Sequence, residues 1–239
     1  LAIGNILNQV LNPDWGYRIV YLASSLAALP FLYQIFFRLT ERSLPVKFTD
    51  WRLKLRDRNL RKILVLDFLL NLFYFFMVIY LPLHLVQTVG FSWGNIGFVF
   101  TIMLLPFVLI EYPLGWLADR KFGEKEILTI GLVIAIVATA PIAFLTTKSI
   151  PIWIILLFFT RVGAATIESM KETYLFKQVT AGDIGIISLS RFTIPLAYLV
   201  GSLVSIIFLR SFPMSYLFLL ISILFIFGLY FSLTLKDTK

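Results

Sequence analysis

Seven apolar runs of about twenty residues each leave this chain little choice but a bundle of membrane-spanning helices. They cover residues 17–37, 63–85, 96–117, 127–146, 151–170, 184–208 and 213–235. A helix rises about 1.5 Å per residue, so each run is long enough for the ~30 Å hydrocarbon core of a bilayer. Barrel strands would instead alternate polar and apolar residues in segments of about ten, and these runs are continuous. Composition agrees: 59% of residues are hydrophobic and 14% charged, against about a quarter charged in soluble domains.

The formal charge of +8 does not imply a nucleic-acid partner, because nine of the 21 basic residues lie between Arg38 and Lys62. A basic loop between two spans belongs on the cytoplasmic side of a membrane. That anchor places the N-terminus outside and the C-terminus inside. Within the loop, Phe48, Trp51 and Leu55 recur at helical spacing behind Thr49 or Asp50 as N-cap, which predicts a short amphipathic helix on the anionic inner leaflet. The absence of cysteine removes disulfides and thiolate metal sites, and the single His84 cannot assemble a metal site by itself. No cofactor is expected. His84, beside Pro82 at the outer end of its span, is expected at the interface.

Charges inside the spans are distributed unevenly. Asp67 and Glu111 sit in the second and third, and Arg161, Glu168 and Arg191 in the fifth and sixth, whereas the fourth and seventh carry none. A charge in the bilayer costs several kcal/mol unless it faces a cavity or a partner, so the charged helices should face inward and the charge-free ones lipid. The pattern inner, inner, outer therefore occurs twice, as two three-helix repeats of opposite orientation require.

Arg161 falls near the middle of its span, and an ionised guanidinium at that depth calls for an acidic partner or an anionic ligand. Glu168 follows two turns later on the same face, about 10 Å along the axis, too far for an easy pair within one helix. Asp67, Asn71 and Tyr74 form a polar stripe that predicts a cavity wall, with pairing of Asp67 to Lys62 as the alternative. Arg191 precedes Pro195 and Gly201 in a helix suited to bending, and its expected partners are Glu111, Asp119 or an anionic ligand. Glu111, Glu168 and Asp67 are all candidates to exchange a proton.

One short hairpin is more specific than any composition. Gly115-Trp116-Leu117-Ala118-Asp119-Arg120-Lys121-Phe122-Gly123-Glu124-Lys125-Glu126 joins the third and fourth spans. The run Gly-x-Leu-Ala-Asp-Arg followed by Gly and Lys resembles the loop between the second and third helices of each half of major facilitator superfamily transporters. It departs by one extra residue before Gly123 and by Glu124 where the family has a base. Trp15-Gly16-Tyr17-Arg18 is similar to the family's entry into its sixth helix. The resemblance implies an all-α membrane protein in which 1–37 ends the N-terminal bundle, with part of helix five and helix six. Residues 38–62 are then the interdomain loop, and 63–239 a six-helix bundle of two inverted repeats. It implies a secondary transporter, not an enzyme, moving a small solute by alternating access and driven by a proton or substrate gradient. The remaining half of the same transporter and membrane lipids are its partners, and a prokaryotic inner membrane its setting. Gly115, Asp119, Arg120, Gly123, Lys125 and Glu111 become the cytoplasmic gate, with the glycines allowing close helix approach. A seven-span receptor and a polytopic membrane enzyme are the alternatives.

Overall fold

Each apolar run forms a helix, and local residues decide where it extends or breaks. The computed structural model describes residues 13–37, 51–120, 123–180 and 182–236, without the side chains of 13–17, 51, 53, 111, 112, 119 and 120. Helix α1 spans Pro13–Phe37 and leaves its side chains from Arg18 onward almost wholly exposed. A single turn, α2 (Trp51–Lys54), precedes α3 (Arg58–Val89). Asp57 caps α3 by accepting from the Asn59 backbone N–H at 2.7 Å. The second half of α3 holds two π-helical turns, Phe76–Tyr80 and Leu85–Val89, on either side of Leu81–His84. Pro82 withholds a backbone donor where the first of them ends.

The third span is divided at Leu104 into α4 (Trp93–Met103) and α5 (Leu105–Arg120). Pro106 explains the break, since it has no N–H to give and its ring crowds the preceding turn. Then follow α6 (Glu124–Thr139), α7 (Ile150–Gln178), α8 (Ile184–Phe208) and α9 (Tyr216–Leu233). Among the described residues, seven helices are long and apolar enough to cross a membrane. Helix α7 runs eight residues beyond its apolar stretch, because its charged end is held by pairs with other helices rather than by lipid.

The packing is organised as two triplets, α3–α4/α5–α6 and α7–α8–α9. The first helix of each triplet packs on the second of the other, as α3 on α8 and α7 on α4 and α5. It also packs on the third of the other, as α3 on α9 and α7 on α6. The two third helices, α6 and α9, meet each other, as do the two first helices, α3 and α7. Exchanging the triplets leaves this scheme unchanged, which is the signature of an internal two-fold repeat. The charge-free spans within α6 and α9 keep Ile130, Val133, Val137, Ile223, Ile226 and Phe227 exposed, but the expected order inner, inner, outer is not what burial shows, since they are 50% and 39% buried against 28% for Trp93–Ile110 and 22% for α8.

Polar ties gather the connections at the basic end of the bundle. Lys62 donates to the Thr234 carbonyl, Lys54 pairs with Asp183, Lys177 pairs with Glu124, and the Tyr174 hydroxyl donates to the Lys236 carbonyl at 2.8 Å. Two expectations change here. Lys62 is not the partner of Asp67, and the stretch around α2 is fastened to the bundle through Lys54, not only laid along a leaflet; Phe48, Thr49 and Asp50 lie outside the described residues. At the opposite end His84 is 1% exposed, between the rings of Trp153 and Phe218 at 6.1 and 5.5 Å, instead of interfacial. The reason is that α3 continues past it through the second π turn to Val89.

Candidate substrate site

Helix α7 positions the central cation. Arg161 lies about 17 Å from the start of this helix by its rise, close to mid-depth. Small neighbours Gly163, Ala164 and Ala165 let other helices close around it, and it is only 3% exposed. Its guanidinium carbon stands 5.7 Å from the ring centres of both Phe73 and Tyr74 on α3. No carboxylate lies within ion-pairing distance among the described residues, and Nε is sealed from solvent without a hydrogen-bond partner. The two terminal nitrogens likewise have no hydrogen-bond partner among the described residues, but they are not sealed. Cation–π contacts contribute about 0.5–2 kcal/mol each. An uncompensated buried ion costs several kcal/mol, so the rings alone do not balance this charge.

Glu168, two turns further along α7, does not pair with Arg161. Its Oε2 accepts from the Tyr74 hydroxyl at 2.6 Å, while Tyr74 also packs on Phe107 of α5 at 6.3 Å between ring centres. Arg161, Tyr74 and Glu168 thus form one cluster between α3 and α7, and the latter two are half-buried.

The polar stripe of α3 divides. Tyr74 joins that cluster, whereas Asp67 and Asn71 turn into a closed network with α7 and α8. Asp67 is 4% exposed; its Oδ1 pairs with Lys171 and accepts from Asn71 Nδ2 at 3.1 Å. Its Oδ2 accepts from the Ser190 hydroxyl at 2.7 Å and lies 2.9 Å from the Thr193 hydroxyl. Thr193 Oγ1 also receives Asn71 Nδ2 at 3.0 Å and lies 2.6 Å from the Ser190 carbonyl, so its one proton serves either acceptor. Lys171 was not legible as a partner, since it stands beyond the apolar stretch. Arg191 is brought to neither group: Nη1 donates to Glu172 Oε1 at 3.2 Å with both side chains exposed, a contact worth about 0–1 kcal/mol.

The hairpin is described in part. Gly115 has open space where a Cβ would stand, which removes the expected close approach there. Gly123 is buried as the N-cap residue of α6, and Lys125 is half-buried in its first turn. The side chains of Glu111, Asp119 and Arg120, and all of Lys121 and Phe122, lie outside the described residues. Glu124 is buried at the start of α6, where the helix dipole favours a carboxylate, and its partner Lys177 comes from α7. Lys177→Glu is expected to lower the melting temperature by several degrees, and adding Glu124→Lys to restore only part, because a cation at a helix N-terminus is unfavourable. Full restoration would show that the dipole contributes nothing here.

Comparison with known proteins matches the family model described as Major Facilitator Superfamily over residues 1–167 and 81–239. Among curated proteins none matches. Among solved structures, the crystal structure of the nucleoside transporter NupG (D323A mutant) has 19% identity and a TM-score of 0.66, over 76% of this chain and 45% of that one. The chain therefore spans less than half the length of that structure. With two matches that together run from the first residue to the last, and a bundle whose two triplets exchange, the chain belongs to the major facilitator superfamily.

Proposed function

We propose that this chain is part of a secondary transporter that moves a small solute by alternating access, with Arg161, Tyr74 and Glu168 at the solute site. Residues 63–239 form the C-terminal six-helix bundle, 38–62 the cytoplasmic interdomain loop, and 1–37 the end of the N-terminal bundle, whose remainder supplies the other cavity wall. The basic loop supports a cytoplasmic position for the gate hairpin and the C-terminus. The observation that carries the proposal is the mid-depth guanidinium beside two rings and bonded to no group among the described residues, where a purely structural helix pair would have satisfied it.

Coupling to protons is assigned to Glu168. Of the three intramembrane carboxylates named above, Asp67 is locked by Lys171 and three neutral donors, and the side chain of Glu111 is not described. Glu168 has one neutral donor and stands near the Arg161 cation, so a proton on Glu168 leaves that positive charge to the solute and the two bind together. In proteoliposomes made with the full-length protein, a solute found by panel uptake should accumulate under an inward proton gradient. Glu168→Gln is expected to reduce that accumulation at least tenfold while leaving solute counterflow intact. Accumulation of equal extent with and without the gradient would remove the proton from the cycle.

A further inference from the structure

We propose that the ligand of Arg161 is an organic monocarboxylate with an apolar body, an inference that rests on the transport proposal above and names its substrate class. Three observations converge on it. Arg161 is 3% exposed and its guanidinium makes no hydrogen bond among the described residues, yet its two terminal nitrogens, unlike Nε, are not sealed. Phe73 and Tyr74 stand at 5.7 Å each from its carbon and 5.7 Å from one another, so both rings lie to one side of the guanidinium and its other side is what remains for a ligand. An acceptor that meets the terminal nitrogens with two coplanar oxygens is a carboxylate.

The surroundings select within anions. Three carboxylates of the described residues are engaged elsewhere: Glu168 by Tyr74, Asp67 by Lys171, and Glu172 by Arg191. Around the fork, α3 brings the titratable Tyr74 and the ring of Phe73 and α7 brings Glu168, while α5 packs Phe107 on the far ring of Tyr74 and carries Glu111, whose side chain lies outside the described residues. One fixed cation beside one fixed carboxylate accommodates a monoanion once Glu168 takes a proton. The dianion of inorganic phosphate would leave uncompensated charge in a low-dielectric site, and its monoanion has no apolar body for the rings to bury. The rings of Phe73, Tyr74 and Phe107 suit an apolar body behind the carboxylate.

The test pairs each acid with its neutral isostere. Purified full-length protein is melted with butyrate, octanoate and benzoate, with butyramide, octanamide and benzamide, and with inorganic phosphate and uridine. At least one acid is expected to raise the melting temperature saturably, its amide and phosphate to do nothing, and Arg161→Gln to abolish the shift. Should Arg161→Gln fail to fold, Glu168→Gln keeps the Tyr74 contact in neutral form and should bind the acid at least as tightly as the parent. Equal shifts from acid and amide, binding of uridine alone, or an acid shift untouched by Arg161→Gln would overturn the inference. Liposome uptake separates it from the broader proposal. Uridine carried while every acid is refused sinks the substrate class and leaves transport standing, whereas an acid bound through Arg161 but never carried sinks transport and leaves the anion site.

Discussion

Asp67→Asn is expected to destabilise the bundle far more than Lys171→Met, although both break the same ion pair. Removing one partner of a buried pair typically costs about 3–5 kcal/mol, because the other charge is left uncompensated. Here the two survivors are not equivalent. With Lys171 replaced, the Asp67 carboxylate keeps Ser190 at 2.7 Å, Thr193 at 2.9 Å and Asn71 at 3.1 Å. With Asp67 replaced by the amide, the Lys171 ammonium, 8% exposed, loses the carboxylate and faces an amide whose NH2 group it cannot use. The amide also confronts Ser190 and Thr193 with donors where they had an acceptor. At about 2–4 °C per kcal/mol for a chain of this size, Asp67→Asn should lower the melting temperature by roughly 10 °C. The Asp67→Asn/Lys171→Met double variant should recover much of the loss, since it removes the charge with its partner. Thermal melting of the four proteins in detergent completes a double-mutant cycle. A double variant no better than Asp67→Asn alone would show that the hydroxyl network, and not the ion pair, ties α3 and α7 to α8.

This network also marks where sequence reasoning stops. The number of spans and the two charged triplets were legible, because hydropathy and the cost of intramembrane charge act along the chain. Which charges meet was not. Asp67 and Lys171 are 104 residues apart, and nothing local sets the register that joins them. Tyr74 and Glu168 are likewise brought together only by the packing of α3 on α7. The separation of Arg161 from Glu168 was legible, since helical rise alone imposes it. His84 was misplaced because an apolar window ends where hydropathy falls, whereas α3 continues through a π turn that no periodicity announces. The glycines divide: Gly115 belongs to the family-like motif and meets nothing, while Gly163, in a small run whose residue types already suit close helix approach, meets backbone.

Gly163→Ala is expected to be the most damaging single methyl in the chain. A Cβ at Gly163 would lie 2.6 Å from the Ala135 backbone nitrogen and 2.8 Å from its Cα, so no side-chain rotation relieves the clash. The facing helix is equally committed, since a Cβ at Gly131 would lie 2.8 Å from Thr166 Cγ2 and 3.2 Å from the Gly163 carbonyl oxygen. The two helices must therefore separate or slide along a contact that holds the first triplet to the second. Overpacking typically costs about 1–3 kcal/mol, and a clash with main chain belongs at the upper end or beyond. The better helix propensity of alanine offsets about 1 kcal/mol at most. Ala135→Gly in the same protein removes the contact with the Ala135 Cβ, also 2.8 Å, but not those with N and Cα, so it should rescue only partly. By contrast Gly115→Ala, entering open space within α5, should be neutral or slightly stabilising. Size-exclusion profiles and melting curves of the parent and these three variants measure this ordering, and a Gly163→Ala protein with parental melting temperature would refute the close crossing of α6 and α7. The consequence reaches the solute site, because Gly163 lies two residues from Arg161. A shift of α7 by about 1 Å there moves the guanidinium out of the geometry that productive binding requires, so any Gly163→Ala protein that does fold should bind solute more weakly than its stability alone accounts for.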